Sequence, residues 1–142
     1  MRTRIGLMAA LALAWLAAPG CAPQGNPAEQ QEATDAAVAW IQLVDTGKYP
    51  ESWDQASSYF KAVLQKDKWV EAVPGIREPL GRVISRKMSG RRSATSLAGA
   101  PDGKYCLIQF NTTFSHKKGG VESVTMMQEA DGSWRVSGYF IR

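Results

Sequence analysis

The sequence is poor in the side chains on which most enzymes and metal proteins depend. It has one histidine, His116, and two cysteines, Cys21 and Cys106, in 142 residues. A serine or cysteine nucleophile needs a neighbouring base, and a zinc site needs several histidine or cysteine ligands. His116 stands beside the run 117–120 (KKGG) and is interpreted as an exposed turn residue. The nucleotide-binding patterns GxxxxGK[ST] and GxGxxG are also missing. The sequence therefore predicts no catalytic residue, no cofactor and no metal site.

A large excess of one charge is missing as well. The chain has 17 basic and 13 acidic residues, and two of the basic ones, Arg2 and Arg4, lie in a segment that we expect to be removed. The remaining net charge of +2 is too small to predict binding to nucleic acid by itself.

The apolar run at the N-terminus is too short to span a membrane. Residues 5–18 contain no charge and follow a short basic leader, but a spanning helix needs about 20 apolar residues. A basic leader, a short apolar run and small residues before a cleavage point are typical of a secretory signal peptide. We therefore predict a signal peptide over residues 1–20 and an exported bacterial protein.

The residues around the predicted cleavage point resemble a bacterial lipobox. Ala18-Pro19-Gly20 precedes Cys21, and cleavage before that cysteine would free it for acylation and membrane anchoring. The alternative is ordinary cleavage after Gly20, which would yield a soluble periplasmic protein. We predict a lipidated Cys21 with a flexible tether over 21–28, on the periplasmic side of a membrane. Because Ala22 is not the aspartate that retains such proteins at the inner membrane, the outer membrane is favoured.

The chain that follows divides into a helical half and a strand half near Gly81. Apolar residues first recur at helical spacing, which predicts helices over 27–46 and 52–74, the second continuing or breaking near Lys61. After Gly81 they alternate, and short turns separate the alternating segments. The predicted antiparallel strands are 83–92, 104–114, 121–129 and 133–141. Residues 29–142 are thus predicted to form a single α+β domain.

Several motifs occur in an order that resembles a known bacterial family. They are Ala39-Trp40, Asp45-x-Gly47-x-Tyr49-x-x-Ser52-Trp53-x-x-Ala56-Ser57, Arg77-x-Pro79-Leu80-Gly81-x-Val83-x-Ser85-Arg86, Pro101-Asp102-Gly103-x-Tyr105 and Asp131-Gly132-x-Trp134-Arg135-Val136-x-Gly138-Tyr139. Together they are similar to the domain-of-unknown-function 4019 family, over nearly all of the mature chain. The resemblance implies a cystatin-like or nuclear-transport-factor-like domain, in which two to three N-terminal helices pack on a curved antiparallel sheet of about four strands. It implies no activity.

A basic stretch occupies the first predicted strand. No acidic residue lies between Glu78 and Asp102, and the stretch contains Arg82, Arg86, Lys87, Arg91 and Arg92. If alternation is uninterrupted, Arg82 and Arg86 share one face, whereas Lys87 and Arg91 share the other. The stretch is a candidate site for an anion such as a lipid headgroup, a lipopolysaccharide phosphate or an acidic partner. Alternatively, the charges protect an exposed edge strand from aggregation.

The aromatic residues and the second cysteine each leave two interpretations open. Trp53, Trp69, Trp134 and Tyr139 are candidates to line a pocket on the sheet, but aromatic residues at such spacings also fill small cores. Cys106 alternates with apolar residues, which favours a buried small hydrophobe over a redox thiol. If Cys21 is not acylated, a disulfide between the two cysteines becomes possible.

Three classes of function remain compatible with the sequence. The favoured hypothesis is a non-enzymatic envelope protein that is attached to the membrane by its lipid and binds a partner protein or an anionic envelope component. The second is a carrier with a small-ligand pocket between helices and sheet. The third is a hydrolase-type enzyme that uses an acid such as Asp45 or Asp54 in that pocket.

Overall fold

The computed structural model describes residues 25–142, so the predicted signal peptide and Cys21 lie outside the described residues. The first helix, α1, spans Pro27–Asp45. It begins at Asn26, whose side chain accepts a hydrogen bond from the Ala28 amide at 2.9 Å, and proline occupies its first turn. Both features satisfy the requirements of a helix N-terminus. The boundaries agree with the predicted helix to within one residue.

The second predicted segment, for which a break near Lys61 was left open, is in fact three helices. They are α2 (Tyr49–Asp54), α3 (Ser58–Val63) and α4 (Lys66–Arg77), and a 3₁₀ turn over Glu78–Leu80 follows. The first break occurs because Ser57 has extended backbone and its hydroxyl accepts a hydrogen bond from the Phe60 amide. Serine competes in this way with a continuing helix. The second break follows from the extended backbone of Leu64 and Gln65.

Four strands form one antiparallel sheet in the order β1-β2-β3-β4. They are β1 (Val83–Ala94), β2 (Tyr105–Phe114), β3 (Lys117–Gln128) and β4 (Trp134–Ile141). The run 117–120, predicted as a turn, belongs to β3, because the reversal is confined to Ser115 and His116. The predicted α+β class, with N-terminal helices on a four-stranded antiparallel sheet, is confirmed. The cystatin-like or nuclear-transport-factor-like fold stays a prediction.

The helices cover one face of the sheet, and the hydrophobic core lies between the two layers. The inward residues of β2 are Cys106, Ile108, Phe110, Thr112 and Phe114, all of them buried. Cys106, Ile108 and Phe110 belong to the same core as the buried stripe of α1, which consists of Ala33, Ala37, Trp40, Ile41 and Val44. Alternation in the strands and the 3.6-residue period of the helix bring these two sets together. Among residues 25–142, no helix is long and apolar enough to cross a membrane.

Ser57 joins the helical layer to the sheet and provides a test of the fold. Its hydroxyl caps α3, and its amide donates to the carbonyl of Val136 in β4 at 2.8 Å. We expect Ser57→Ala to lower the free energy of unfolding by about 1 kcal/mol, the usual cost of a lost N-cap. Urea denaturation measures this, with Ser96→Ala at an exposed position as the control. An effect no larger than that of the control would contradict the capping role.

Candidate functional site

A β-bulge in β1 decides where its basic side chains point. The pairing with β2 shifts between Met88 and Gly90, so that Ser89 is an extra residue in the strand. Arg86 pairs with Thr112 and Arg91 pairs with Ile108. Both partners are buried, and directly opposed residues share a face of the sheet. Arg86 and Arg91 therefore both face the helices. The predicted assignment of Arg86 and Arg91 to opposite faces was wrong, because a bulge reverses the alternation.

Arg86 connects the helical layer to the sheet through two carboxylates. Its Nη1 and Nη2 donate to Asp45 at the end of α1, at 2.8 and 3.1 Å, and its Nε donates to Glu122 of β3 at 2.7 Å. The Arg86 side chain is 14% exposed and Glu122 is fully buried. Burial by itself lowers the pKa of Arg86, but the hydrogen bonds to Asp45 and Glu122 outweigh it and raise the pKa. The guanidinium thus keeps its charge inside the protein.

Glu122 has further partners that complete its hydrogen bonding. Thr112 Oγ1 donates to Glu122 Oε1 at 2.5 Å, and the hydroxyl of Tyr139 donates to the other carboxylate oxygen. Burial and the adjacent charge of Glu122 raise the pKa of the Tyr139 phenol. A buried carboxylate is tolerated when its oxygens are paired in this way. Tyr139 is therefore a donor in this network.

Arg77 extends the network to the loop that precedes β1. Its Nη2 donates to Asp45 Oδ1 at 3.1 Å, its Nη1 donates to the carbonyl of Gly81, and its guanidinium lies 4.8 Å from the Phe114 ring centroid. Gly81 has φ +77°, and a Cβ there would lie 2.0 Å from Ser115 Oγ. This turn therefore requires glycine. We call Asp45, Arg77, Arg86 and Glu122 the buried ion cluster.

The buried ion cluster has the character of a structural network. Its two cations balance its two anions, and each of its charged groups has a partner. Sequence reasoning missed Glu122 and Thr112, although one signal was available. Glu122 alternates with Val124 and Met126 along β3, and an acid in the apolar row of a strand needs a buried partner. Arg86 is engaged inside the protein, so an external anion would have to displace Asp45 or Glu122 to reach it.

The remaining basic candidates take three different positions. Arg91 is half-buried, and its Nη1 donates to the carbonyl of Gln30 at 3.2 Å and to Thr34 Oγ1 at 3.0 Å in α1. Lys87 and Arg92 pair with Asn111 and Leu107 and so lie on the face opposite the helices. Arg82 precedes β1 and is exposed. The structure thus leaves Arg82, Lys87 and Arg92 at the surface and does not gather the five candidates into one patch.

The face of the sheet opposite the helices, which we call the outer face, has no acidic side chain in its central rows. The register defines three rows: Lys87, Asn111 and Val121; Gly90, Gln109, Ser123 and Phe140; and Arg92, Leu107, Thr125 and Gly138. No helix of the described chain covers this face. Because Gly90 has no side chain, a trough of about 300 Å³ lies between Arg92 and the middle strands. Gln109, Ser123 and Thr125 line it.

The four aromatic residues that were candidates to line a pocket do not line a common pocket. Trp69 and Tyr139 both pack on Trp40, with ring centroids 6.0 and 5.2 Å apart, and fill the core. The indole N–H groups of Trp40 and Trp69 both donate to Ser52, at its carbonyl (2.7 Å) and its hydroxyl (2.9 Å). Trp53 is half-buried, and its N–H donates to the Leu64 carbonyl at 2.8 Å. Trp69 and Tyr139 also line a cavity of about 100 Å³ between α4 and β4, and Trp134 lines a different one near the first turn of α1.

The cavity beside Trp134 is small and contains the described cysteine. It has a volume of about 110 Å³ and lies between the first turn of α1 and the adjoining ends of β1 and β2. Cys106 lines it and is 1% exposed. Burial raises the pKa of the Cys106 thiol, and a protonated thiol is a weak nucleophile. This environment is that of a packed cysteine rather than a reactive one.

The two acids proposed for catalysis are both engaged by basic groups. Asp45 belongs to the buried ion cluster, and Asp54 accepts from the Lys66 ammonium at 2.8 Å on the surface of the domain. Neither lines one of the cavities described above. His116 occupies the turn before β3, as expected, and its amide donates to the Leu80 carbonyl. The geometry brings no nucleophile and base together among these residues.

Comparison with known proteins identifies a family but no described relative. A family model whose description reads "Protein of unknown function (DUF4019)" matches residues 36–139. The matched segment runs from the middle of α1 through β1, β2 and β3 to Tyr139 in β4. No curated protein and no solved structure matches the sequence.

The buried ion cluster predicts a sharp contrast between two arginines of β1. We expect Arg86→Ala to lower the free energy of unfolding by about 3–5 kcal/mol, because it leaves the buried Glu122 without a cation and Asp45 with Arg77 alone. Arg92→Ala, on the outer face, should change it by no more than about 0.5 kcal/mol. Denaturation in urea measures both. Similar values for the two variants would show that Arg86 is not essential to the network.

Proposed function

We propose that this chain, which belongs to the DUF4019 family of proteins of unknown function, is a lipid-anchored envelope protein whose domain binds an anionic component of the envelope. The N-terminal signal and Cys21 support the anchor. The domain acts as a binding module and catalyses no reaction. Its binding surface is the outer face of the sheet together with the exposed cations of β1.

The acid-free outer face is the observation that carries this proposal. Lys87 and Arg92 stand on it with no hydrogen-bond partner among the described residues, whereas the cations that face inward are paired. A face with one sign of charge attracts an anionic surface at long range. Protection of an edge strand from aggregation needs only charges along its free edge. Edge protection does not explain why β2, β3 and β4 also have no acidic side chain in the central rows of this face.

The internal cavities favour a binding surface over a carrier. The described cavities between α1 and the sheet measure about 110 and 200 Å³, and one between α4 and β4 measures about 100 Å³. Pockets for small ligands usually measure about 300–1,000 Å³. Aromatic rings fill the interior between these cavities. A ligand held between helices and sheet would therefore have to displace the core.

The anchor predicts the chemistry of the mature N-terminus. Cys21 should carry acyl chains, and the wild-type protein should fractionate with membranes and partition into detergent. Cys21→Ser should remove the lipid and leave either an uncleaved precursor or a soluble periplasmic product. Mass spectrometry of the N-terminus decides the matter. An unmodified Cys21, or one joined by a disulfide to Cys106, would refute the anchor.

The outer face predicts binding to anionic membranes without the lipid. In the Cys21→Ser background, the protein should bind vesicles that contain phosphatidylglycerol, and salt should weaken the binding by screening. Replacing both Lys87 and Arg92 with Ser should weaken it roughly tenfold or more, since each basic residue near an anionic surface contributes about 1 kcal/mol. Sedimentation with vesicles measures the affinity.

A matched control separates the outer face from total charge. Lys48 and Lys68 are exposed residues of the helical half, and replacing both with Ser removes the same charge. Binding should remain near that of the parent protein. Equal losses in the two double variants would indicate attraction to net charge only. No loss in either would refute the role of the outer face.

A further inference from the structure

The trough on the outer face offers hydrogen-bonding groups that the protein does not use. Gln109, Ser123 and Thr125 line it, and Arg92 stands at its β1 side. Within residues 25–142, none of these four side chains makes a hydrogen bond to another protein group, whereas Arg86, Arg91 and Thr112 on the inner face do. Together they present donors and acceptors in one shallow site.

The space in the trough depends on one glycine. Gly90 pairs with Gln109 and so faces the trough. A Cβ at this position would have no atom within 4 Å, and the backbone φ of Gly90 is not positive. The volume of about 300 Å³ is at the lower end of the range for small-molecule sites. The strand would accept a larger residue here without strain, and that residue would fill the trough.

The chemistry of the lining points to a phosphate joined to a hydroxyl-rich ring. The Arg92 guanidinium suits a phosphate, to which it can donate two parallel hydrogen bonds. The amide and hydroxyl groups of Gln109, Ser123 and Thr125 both donate and accept, as the hydroxyls of a cyclic polyol do. Phe140 pairs with Ser123 at the β4 side and is 61% exposed. It provides an apolar surface for the carbon face of a ring.

The start of α1 places this trough close to the predicted anchor. Gln30 Nε2 donates to Ser93 Oγ at 2.9 Å, so the first turn of α1 lies beside the residue that follows Arg92. The extended chain from Cys21 to Pro27 can span no more than about 20 Å. A lipid on Cys21 would therefore hold Arg92 within reach of the headgroups in the same membrane.

We propose that the trough binds the headgroup of a membrane lipid in which a phosphate carries a hydroxyl-rich ring. This inference rests on the proposed function and narrows it from a charged surface to a site with a preferred ligand. The phosphate lies at Arg92, and the ring lies over Gln109, Ser123 and Thr125. The anchor makes this binding effectively intramolecular at the membrane.

Vesicles with two lipids of equal charge test this preference. Phosphatidylinositol has a phosphate with a polyol ring, whereas phosphatidylglycerol has the same charge without the ring. In the Cys21→Ser background, we expect phosphatidylinositol vesicles to bind about tenfold more tightly than phosphatidylglycerol vesicles at the same molar fraction, as one or two added hydrogen bonds between neutral groups provide. Free inositol 1-phosphate should inhibit binding to phosphatidylinositol vesicles more strongly than binding to phosphatidylglycerol vesicles.

A substitution that fills the trough without changing the charge provides the decisive variant. Gly90→Leu should abolish the preference for phosphatidylinositol and leave binding to phosphatidylglycerol intact. Gly75→Leu is the matched control, because Gly75 is exposed in α4 and a Cβ there would also have no atom within 4 Å. It should keep the preference. Circular dichroism would establish that both variants remain folded.

The outcomes separate this inference from the proposed function. Equal binding of the two lipids by the Cys21→Ser protein, or a preference that survives Gly90→Leu, would overturn the trough as a ring-specific site. Electrostatic binding through Lys87 and Arg92 would stand in both cases. If neither lipid binds, the inference and the membrane-binding part of the proposed function both fall.

Discussion

The ion pairs of Arg86 are the interaction on which the arrangement of this domain depends. One guanidinium holds Asp45, the last residue of α1, and Glu122, in the middle of β3, while its own backbone belongs to β1. Breaking such a group costs several kcal/mol because the remaining charges stay buried. Its geometric requirements are therefore strict. They specify the position of the C-terminal end of α1 over the sheet and which face of β1 packs against the helices.

The same requirement separates the basic residues of β1 into two sets. The bulge at Ser89 lets Arg86 and Arg91 both face the helices, at spacing that plain alternation does not allow. Lys87 and Arg92 are left on the outer face, where no acid in the central rows neutralises them. One segment of sequence thus supplies both the structural cations and the surface cations. The proposed binding surface follows from this division.

The fold was largely predictable, and its departures from prediction have local causes. The change from helical to alternating periodicity near Gly81 located the boundary between the helical layer and the sheet, because each periodicity reflects which side chains meet the core. A break near Lys61 was left open, but the break at Ser57 was not predicted, since its amide bonds to the distant Val136 carbonyl. Glu122 was overlooked as well, because an isolated acid in an apolar row does not reveal its partner.

The sequence alone determined the α+β order and the concentration of basic residues in β1, and it predicts an export signal. These are properties of composition and local pattern, which need no long-range contact to be recognised. Only the tertiary structure decided that Arg86 is a core residue, that Trp69 and Tyr139 fill the interior, and that Gln109, Ser123 and Thr125 line one trough. The outcomes for the strand residues depend on strand register, and a single bulged residue reverses the face of every side chain after it.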